Sequence, residues 1–294
     1  MGAIGFYLFY AINWIVTLLP LRVLYLFSDI MFPVVYYIAG YRRKVVAMNL
    51  KNAFPEKSER ERIDIEKKFY HHFCDLMVEI LKLTHMSNKQ LVKRNTLTNP
   101  EYLKRLYDEG RDVIAIMAHY GNWEWNSILP AFTKLRLVGI YKPLQNKYFD
   151  RFMLTLRQRN KGDTVAMAGV IREVIKNRNI NRRAIYAFAT DQTPARGEIR
   201  FWTRFLNQDT PVFLGPEKIA TKYNMAVLFL NMQKVRRGQY QMTIEPLFEH
   251  TAALSGHQIT EAHVKRLEEI IRNRPELWLW SHRRWKYKRA EADG

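Results

Sequence analysis

The chain has 294 residues and carries 47 Lys and Arg against 28 Asp and Glu, a formal net charge of +19, with 48% hydrophobic and 13% aromatic residues. That length allows one or two domains with a core large enough to need no staples, and a composition this apolar excludes a disordered chain. The single Cys74 excludes a disulfide scaffold, a four-cysteine zinc site and a CxxC redox centre, leaving a globular, basic protein whose partners are anionic: nucleic acid, a phospholipid surface or an acidic carrier.

In chain order, residues 1–40 hold only Arg22 and Asp29 as charged groups, and the first 21 residues, MGAIGFYLFYAINWIVTLLPL, hold none. About 20 apolar residues at 1.5 Å rise span a bilayer core, so this stretch is just long enough to cross one. Asn13 and Pro20 interrupt it, and Pro20 is expected to end or kink the helix; a buried core helix is the alternative. A cleaved signal peptide fits poorly, since no basic residue precedes the apolar run and no small-x-small site follows. Residues 23–40, broken by Asp29 and Pro33, read as an interfacial or packed helix. Arg42-Arg43-Lys44 follows and would keep the remainder on the cytoplasmic side. The expected division is an apolar membrane anchor with an interfacial segment over 1–40 and a single domain over 41–294.

From residue 41 onward the pattern is that of a soluble α/β domain. Residues 59–86 predict a long helix, with Phe69, Phe73, Leu76, Ile80 and Leu83 recurring at steps of three and four. Short apolar runs at 113–118, 135–141, 184–190, 225–230 and 240–247 predict strands, the first four apolar enough to be buried on both faces. Helix-like stretches lie between them near 122–133, 147–159, 164–178 and 214–223. Such alternation implies a mostly parallel sheet covered on both sides by helices.

Residues 113–126, VIAIMAHYGNWEWN, concentrate the chemistry. A buried strand ends at His119, a turn at Gly121 follows, and a helix is expected to start near Asn122, a good cap residue. Ligands of open α/β sheets bind beyond the carboxyl ends of the strands, where His119 would lie. Glu124 follows at i+5, and a histidine with a carboxylate partner can take a proton from a hydroxyl. The spacing alone has no weight: chance predicts just under one such His–acid pair, and the chain has two, His119/Glu124 and His263/Glu268. The second pair lies inside an evident helix, where five residues place the side chains about 140° apart. The first straddles a strand-to-turn junction that can fold the two together; the plain alternative is a histidine satisfying a strand-end carbonyl. His71, His72, Cys74 and Asp75 are metal-ligand types without a wider cluster, Cys74 has no evident activating base, and no GxGxxG or P-loop is present.

The segment AHYGNWEW at 118–125 resembles the first block of the lysophospholipid acyltransferase superfamily, and its glutamate makes it most similar to the bacterial lipid A biosynthesis late acyltransferases, the lauroyl and myristoyl transferases. RRKVVAMNLKNAFPEKSERER at 42–62 is similar to that family's N-terminal block. YKPLQN at 141–146 with LRQRNKG at 156–162 resembles its second block, ATDQTPARG at 189–197 its third, and IRNRPELWLWSHRRWKYKR at 271–289 its C-terminal signature. The ordered set of blocks, over about residues 40–289, is far more specific than any one of them.

The resemblance implies an α/β acyltransferase fold with an N-terminal membrane helix at the bacterial inner membrane, its catalytic domain on the cytoplasmic side. It implies direct acyl transfer from a thioester, usually acyl carrier protein, to a hydroxyl of a phosphorylated glycolipid of the lipid A type, with no metal or bound cofactor required. His119 would be the general base and Glu124 would fix its tautomer and stabilise its cation. Backbone amides of the Gly121–Asn122 turn, or Arg157 and Arg159, would supply oxyanion donors; those arginines would alternatively bind phosphate or lie on a solvated helix face. Asp191 and Gln192 end another strand at the same sheet edge, where they border the cleft or cap the following loop. Asn122, Arg157, Arg159, Asp191 and Gln192 are thus the candidate substrate-binding residues beside the catalytic pair. The basic tail Arg283, Arg284, Lys286, Lys288 and Arg289, interleaved with Trp285 and Tyr287, suits an anionic membrane surface, or else a solvated C-terminal helix. Another hydroxylated membrane lipid, amino-acid-containing, lysophospholipid or mannosylated, is the alternative acceptor. A nucleic-acid-binding protein is the distant alternative, favoured by net charge alone, since no zinc finger, RRM signature or basic zipper is present. Arg22 cancels Asp29, so all nineteen surplus charges follow the apolar segment.

Overall fold

The computed structural model describes residues 2–289; Met1 and residues 290–294, the end of the expected second segment, lie outside the described residues. The first helix, α1 (Ala3–Val16), has 14 residues and so a length of about 21 Å. It stops at Thr17, whose hydroxyl donates to the Asn13 carbonyl at 2.7 Å, and Pro20 then starts a new helix, α2 (Leu21–Pro33). Pro33 lacks an N–H, and the helix continues past it as a π turn over Val34–Ile38. Among the described residues, the stretch long and apolar enough to cross a membrane, by length and composition, is therefore Leu21–Ile38. This corrects the expectation that placed the span over residues 1–21: Thr17 to Pro20 cut that run, while Pro33 does not cut the next.

Neither helix stands free. Asn13 donates to Thr84 at 3.1 Å, and Lys82 donates to the carbonyls of Thr17 and Leu19 at 2.6 and 2.9 Å. Ser28 donates to Asp75 at 2.8 Å and Tyr25 to Glu79 at 2.7 Å, so α2 lies along the long helix Glu59–Lys82. Phe6, Leu21, Leu24 and Tyr25 belong to the same apolar cluster as one face of the central sheet. The outer faces carry exposed Leu8, Ile15, Leu26, Phe27, Ile30 and Ile38.

After α3 (Arg43–Ala53), the helix α4 (Glu59–Lys82) starts at Ser58 with a capping box: Glu61 N–H donates to the Ser58 hydroxyl, and Ser58 N–H donates to the Glu61 carboxylate. There follow α5 (Asn88–Val92), β1 (Asn95–Thr98), α6 (Pro100–Asp108), β2 (Val113–Met117), a 3-10 segment over Trp123–Ala131, β3 (Arg136–Tyr141), α7 (Lys147–Gln158), β4 (Asp163–Ala166), α8 (Val170–Asn179) and β5 (Ala184–Ala189). A short hairpin, β6 (Trp202–Phe205) and β7 (Gln208–Pro211), turns through Leu206 and Asn207, both at positive φ. The chain closes with α9 (Gly215–Tyr223), β8 (Ala226–Arg236), β9 (Gln239–Phe248) and α10 (Gln258–Asn273).

Seven strands form one sheet in the order β1-β9-β8-β2-β5-β3-β4, every neighbour parallel except β8 with β9. The alternating residues of its central strands explain their uninterrupted apolar runs. Ile114, Ile116, Tyr186, Phe188, Val227 and Phe229 face one core, and Val113, Ala115, Ile185, Ala187, Ala226 and Leu228 face the other. The mostly parallel α/β fold is as expected. Two expected helices differ. Within 122–133 the chain forms the 3-10 segment Trp123–Ala131, where the Asn122 side chain makes no cap bond and Pro130 interrupts an α ladder. Residues 164–178 divide into the edge strand β4 and the helix α8.

Candidate active site

Strands β2 and β5 are parallel neighbours in register from Val113↔Ile185 to Met117↔Ala189, and the Thr190 N–H still donates to the Met117 carbonyl at 3.1 Å. Two residues beyond each strand stand His119 and Asp191, at the carboxyl edge of the sheet. One Asp191 oxygen accepts the His119 Nδ1–H at 2.8 Å; the other accepts the His119 backbone N–H at 3.0 Å and the Trp278 indole N–H at 2.8 Å. Burial opposes the Asp191 charge, but the histidine's charge and these three bonds outweigh it and hold the carboxyl at about 2. Burial likewise favours a neutral His119, and here too Asp191 outweighs it, with a smaller contribution from Glu124, so the imidazole pKa lies above its ordinary value. With Nδ1–H committed to Asp191, Nε2 carries the lone pair. The Gln192 amide nitrogen lies 3.2 Å from it, and the Trp123 ring meets the imidazole edge-on at 5.0 Å between centroids.

The turn that presents His119 is fixed from three directions. Gly121 has φ +60°, and a Cβ there would come within 2.4 Å of the Met232 carbonyl on β8, so only glycine fits. From the C-terminal segment, the Leu277 carbonyl accepts the Gly121 N–H at 3.0 Å and the Leu279 N–H donates to the His119 carbonyl at 3.1 Å. From α4, His72 Nε2–H donates to the Gly121 carbonyl at 3.3 Å while its Nδ1 accepts from Lys234 at 3.5 Å. Burial pushes His72 down to about 3, which keeps that ring neutral and its two nitrogens distinct.

The pairing expected between His119 and Glu124 is not the hydrogen bond that forms. Glu124 is buried and clasped by both forks of Arg157, at 2.9 Å from Nε and 2.6 Å from Nη2. The 3-10 segment carries the Glu124 carboxylate toward α7, and Asp191 takes its place on the imidazole. Arg157 nonetheless lies close enough for its charge to act on His119. Arg159 does not join it: its guanidinium donates to the Leu83 carbonyl at the end of α4. Asn122, also expected at the substrate, is fully buried and donates to Glu79 at 2.8 Å, as does the Tyr240 hydroxyl at 2.7 Å. It holds the turn from below. Of the predicted site residues, the structure thus gathers His119, Asp191 and Gln192 by hydrogen bonds and Glu124 with Arg157 beside them; Asn122 and Arg159 act elsewhere.

The sequence profile of the bacterial lipid A biosynthesis acyltransferases matches residues 2–287, nearly the whole chain. The chain belongs to this family. A lipid A biosynthesis acyltransferase of Haemophilus influenzae is 22% identical over 244 residues, 82% of this chain and 75% of that protein. A lipid A biosynthesis lauroyltransferase of Escherichia coli is 22% identical over 278 residues, 93% of this chain and 88% of that protein. The acyltransferase is an enzyme of lipid A biosynthesis, and its site has members that sequence spacing did not single out. Trp278, 87 positions from Asp191, lies inside the C-terminal signature, whose role the residues alone left open. Glu79 has no signal beyond the buried face of α4, and His72 stands out in the sequence only as a metal-ligand type without a cluster. In the same signature the expected membrane-facing tail is corrected at Arg284, which is 2% exposed and donates to the Pro211 carbonyl at 2.7 Å; Trp285 donates to Thr210 at 2.8 Å. Arg284 is buried and Trp285 is half-buried against the core, so this part of the tail is not a solvated helix. Cys74 is buried and its thiol is pushed up to about 11, the opposite of an activated nucleophile.

Proposed function

We propose that the acyltransferase moves a fatty acyl chain from a thioester, carried by acyl carrier protein, to a hydroxyl of a phosphorylated lipid A precursor at the cytoplasmic surface of the bacterial inner membrane. The observation that carries this reading is His119 at the end of β2 with Nδ1–H bound to Asp191 and Nε2 turned to an exposed amide that a substrate hydroxyl can displace. The hydroxyl gives its proton to His119 Nε2 as its oxygen attacks the thioester carbonyl. Asp191 holds the imidazole in the tautomer this requires and stabilises the imidazolium. Arg157, fixed by Glu124, stabilises the oxyanion. The carbon–sulfur bond then breaks, the thiolate takes the proton back from imidazolium, and an ester and a free thiol leave. No metal or cofactor enters any step.

The exposed apolar faces of α1 and α2 support membrane attachment, and the basic surplus after residue 40 suits both a phosphorylated acceptor and an acidic carrier. In a strain lacking the gene, lipid mass spectrometry is expected to show lipid A one acyl chain short, restored by the wild-type chain and not by an equally abundant His119→Ala variant. Unchanged lipid A with an acyl chain missing from another hydroxylated lipid would transfer the reading to that acceptor, and full complementation by His119→Ala would remove the proposed base.

A further inference from the structure

Two basic runs far apart in sequence meet on the surface. Arg42 Nη1 donates to the Ser281 carbonyl at 2.9 Å, across 239 positions, and the open basin of about 580 Å³ beside this contact is lined by Arg42, Arg43, Lys44 and Arg283 with one carboxylate, Glu66. Arg43 answers that carboxylate: its guanidinium donates to Glu66 at 3.1 Å and to the Tyr36 hydroxyl at 3.2 Å and lies 4.1 Å above the Tyr36 ring. Arg42, Lys44 and Arg283 have no carboxylate partner among the described residues. Three uncompensated cations in a concavity focus a positive field. The uncapped N-terminus of α3 adds to it. Arg42 itself is held left-handed at φ +54°, a conformation that a side chain of its kind adopts at a cost.

The basin has two further neighbours. The apolar stretch Leu21–Ile38, with Tyr37 and Ile38 exposed, ends two residues before Gly40, which lines the basin; a bilayer that took up this stretch would bring lipid headgroups to the cations. The segment that carries Arg283 also touches the chain just past Asp191. Thr193, two residues past Asp191, donates to the carbonyls of Arg283 and Arg284 and gives its N–H to His282 Nε2, and His282 feels the charges of both His119 and Arg42. A molecule with its hydroxyl at His119 can therefore hold an anionic group in the basin.

We propose that the basin binds a phosphate of the glycolipid acceptor, Arg42 and Arg283 through their guanidinium forks and Lys44 as a point charge. A fork matches the paired oxygens of a phosphate, and the ammonium adds charge without directional demand. This rests on the phosphorylated-acceptor reading above and adds to it the residues that select for phosphate.

The test uses the full-length enzyme in uncharged detergent micelles and the double variant Lys44→Gln/Arg283→Gln, both exposed side chains, with Arg42 kept for its bond to Ser281. The acceptor is a phosphorylated lipid A precursor or the same lipid after phosphatase treatment. The variant is expected to raise KM for the phosphorylated acceptor about tenfold, as for losing a charged hydrogen bond, with little change in kcat or in KM for the acyl thioester. On the dephosphorylated acceptor, wild type and variant are expected to be equal. Equal KM values on the phosphorylated acceptor, or the same loss on both acceptors, would overturn the assignment. A rise in thioester KM instead would make the basin a carrier dock, and a loss confined to vesicles containing phosphatidylglycerol would make it a bulk-lipid contact; either also overturns it. Should wild type acylate neither form, the acceptor reading falls on its own, and micellar retention of the radiolabelled phosphorylated lipid decides the basin separately, equal retention by both proteins counting against it.

Discussion

Asp191 and Glu124 are two buried carboxylates within electrostatic reach of one imidazole, and the fold holds them differently. Asp191 accepts from His119 twice and from the Trp278 indole, so among the described residues the titratable group it bonds is the ring it orients. Glu124 is answered by a guanidinium through two parallel bonds. The first arrangement leaves a carboxylate whose charge is directed to an imidazolium when one forms. The second makes a closed pair whose outward effect is to fix an arginine. Nearness in sequence to His119 favours Glu124, and strand order favours Asp191.

The comparison is broken most easily at Asp191. Asp191→Asn is expected to lower kcat by about 10⁴-fold with the fold intact, because an amide also stabilises the wrong tautomer. Its pH profile sharpens the point. The base must be neutral to act, and Asp191 raises the His119 pKa, so the acid limb of kcat/KM for the wild type lies above about pH 6.5. In Asp191→Asn that limb moves to lower pH. If Glu124→Gln moved the limb and Asp191→Asn did not, the two roles would be exchanged. For stability the signs are opposite: the raised His119 contributes below about pH 6.5 and loses its contribution as pH rises through its folded value, whereas Asp191 contributes above about pH 4 and loses it as pH falls toward 2.

At the other carboxylate, Arg157→Ala leaves a buried charge unanswered and is expected to cost about 3 kcal/mol in chemical denaturation. Adding Glu124→Gln should restore most of that stability without restoring activity. A double variant no more stable than Arg157→Ala would show that the pair is not closed. The smallest effect is expected at Trp278→Phe, which keeps the ring and removes one donor from Asp191. A fall in kcat/KM of about tenfold corresponds to one charged hydrogen bond, and an unchanged rate would assign Trp278 to packing alone.

The legible parts of the molecule are those fixed by local pattern. The strands at 113, 184 and 226 show as apolar runs because both sheet faces are covered, and α4 shows by its period. His119 is legible from its place at a strand end. The strand β1, with sequence NTLT, is not: four half-polar residues become a strand because β9 lies beside them. The same holds at the site. Its strand alone puts Asp191 at this sheet edge, but which carboxylate reaches the ring depends on β2 and β5 being neighbours, a property of sheet order and not of spacing. The membrane-length stretch differs from the expectation for a local reason: of two prolines of equal sequence weight, Pro20 starts a helix, whereas Pro33 ends α2 and the helix runs on as the π turn Val34–Ile38.

The clamp from Leu277, Trp278 and Leu279 on the His119 turn also orders events during synthesis. A chain folds from its N-terminus as it is made, so the apolar helices α1 and α2 emerge well before the residues that lock the His119 imidazole. A growing chain short of Trp278 holds both His119 and Asp191 with neither the indole on the carboxylate nor the backbone bonds that fix the turn. The His119 turn is thus locked only once Trp278 has emerged, after the exposed apolar faces of α1 and α2 have already been free to find their place.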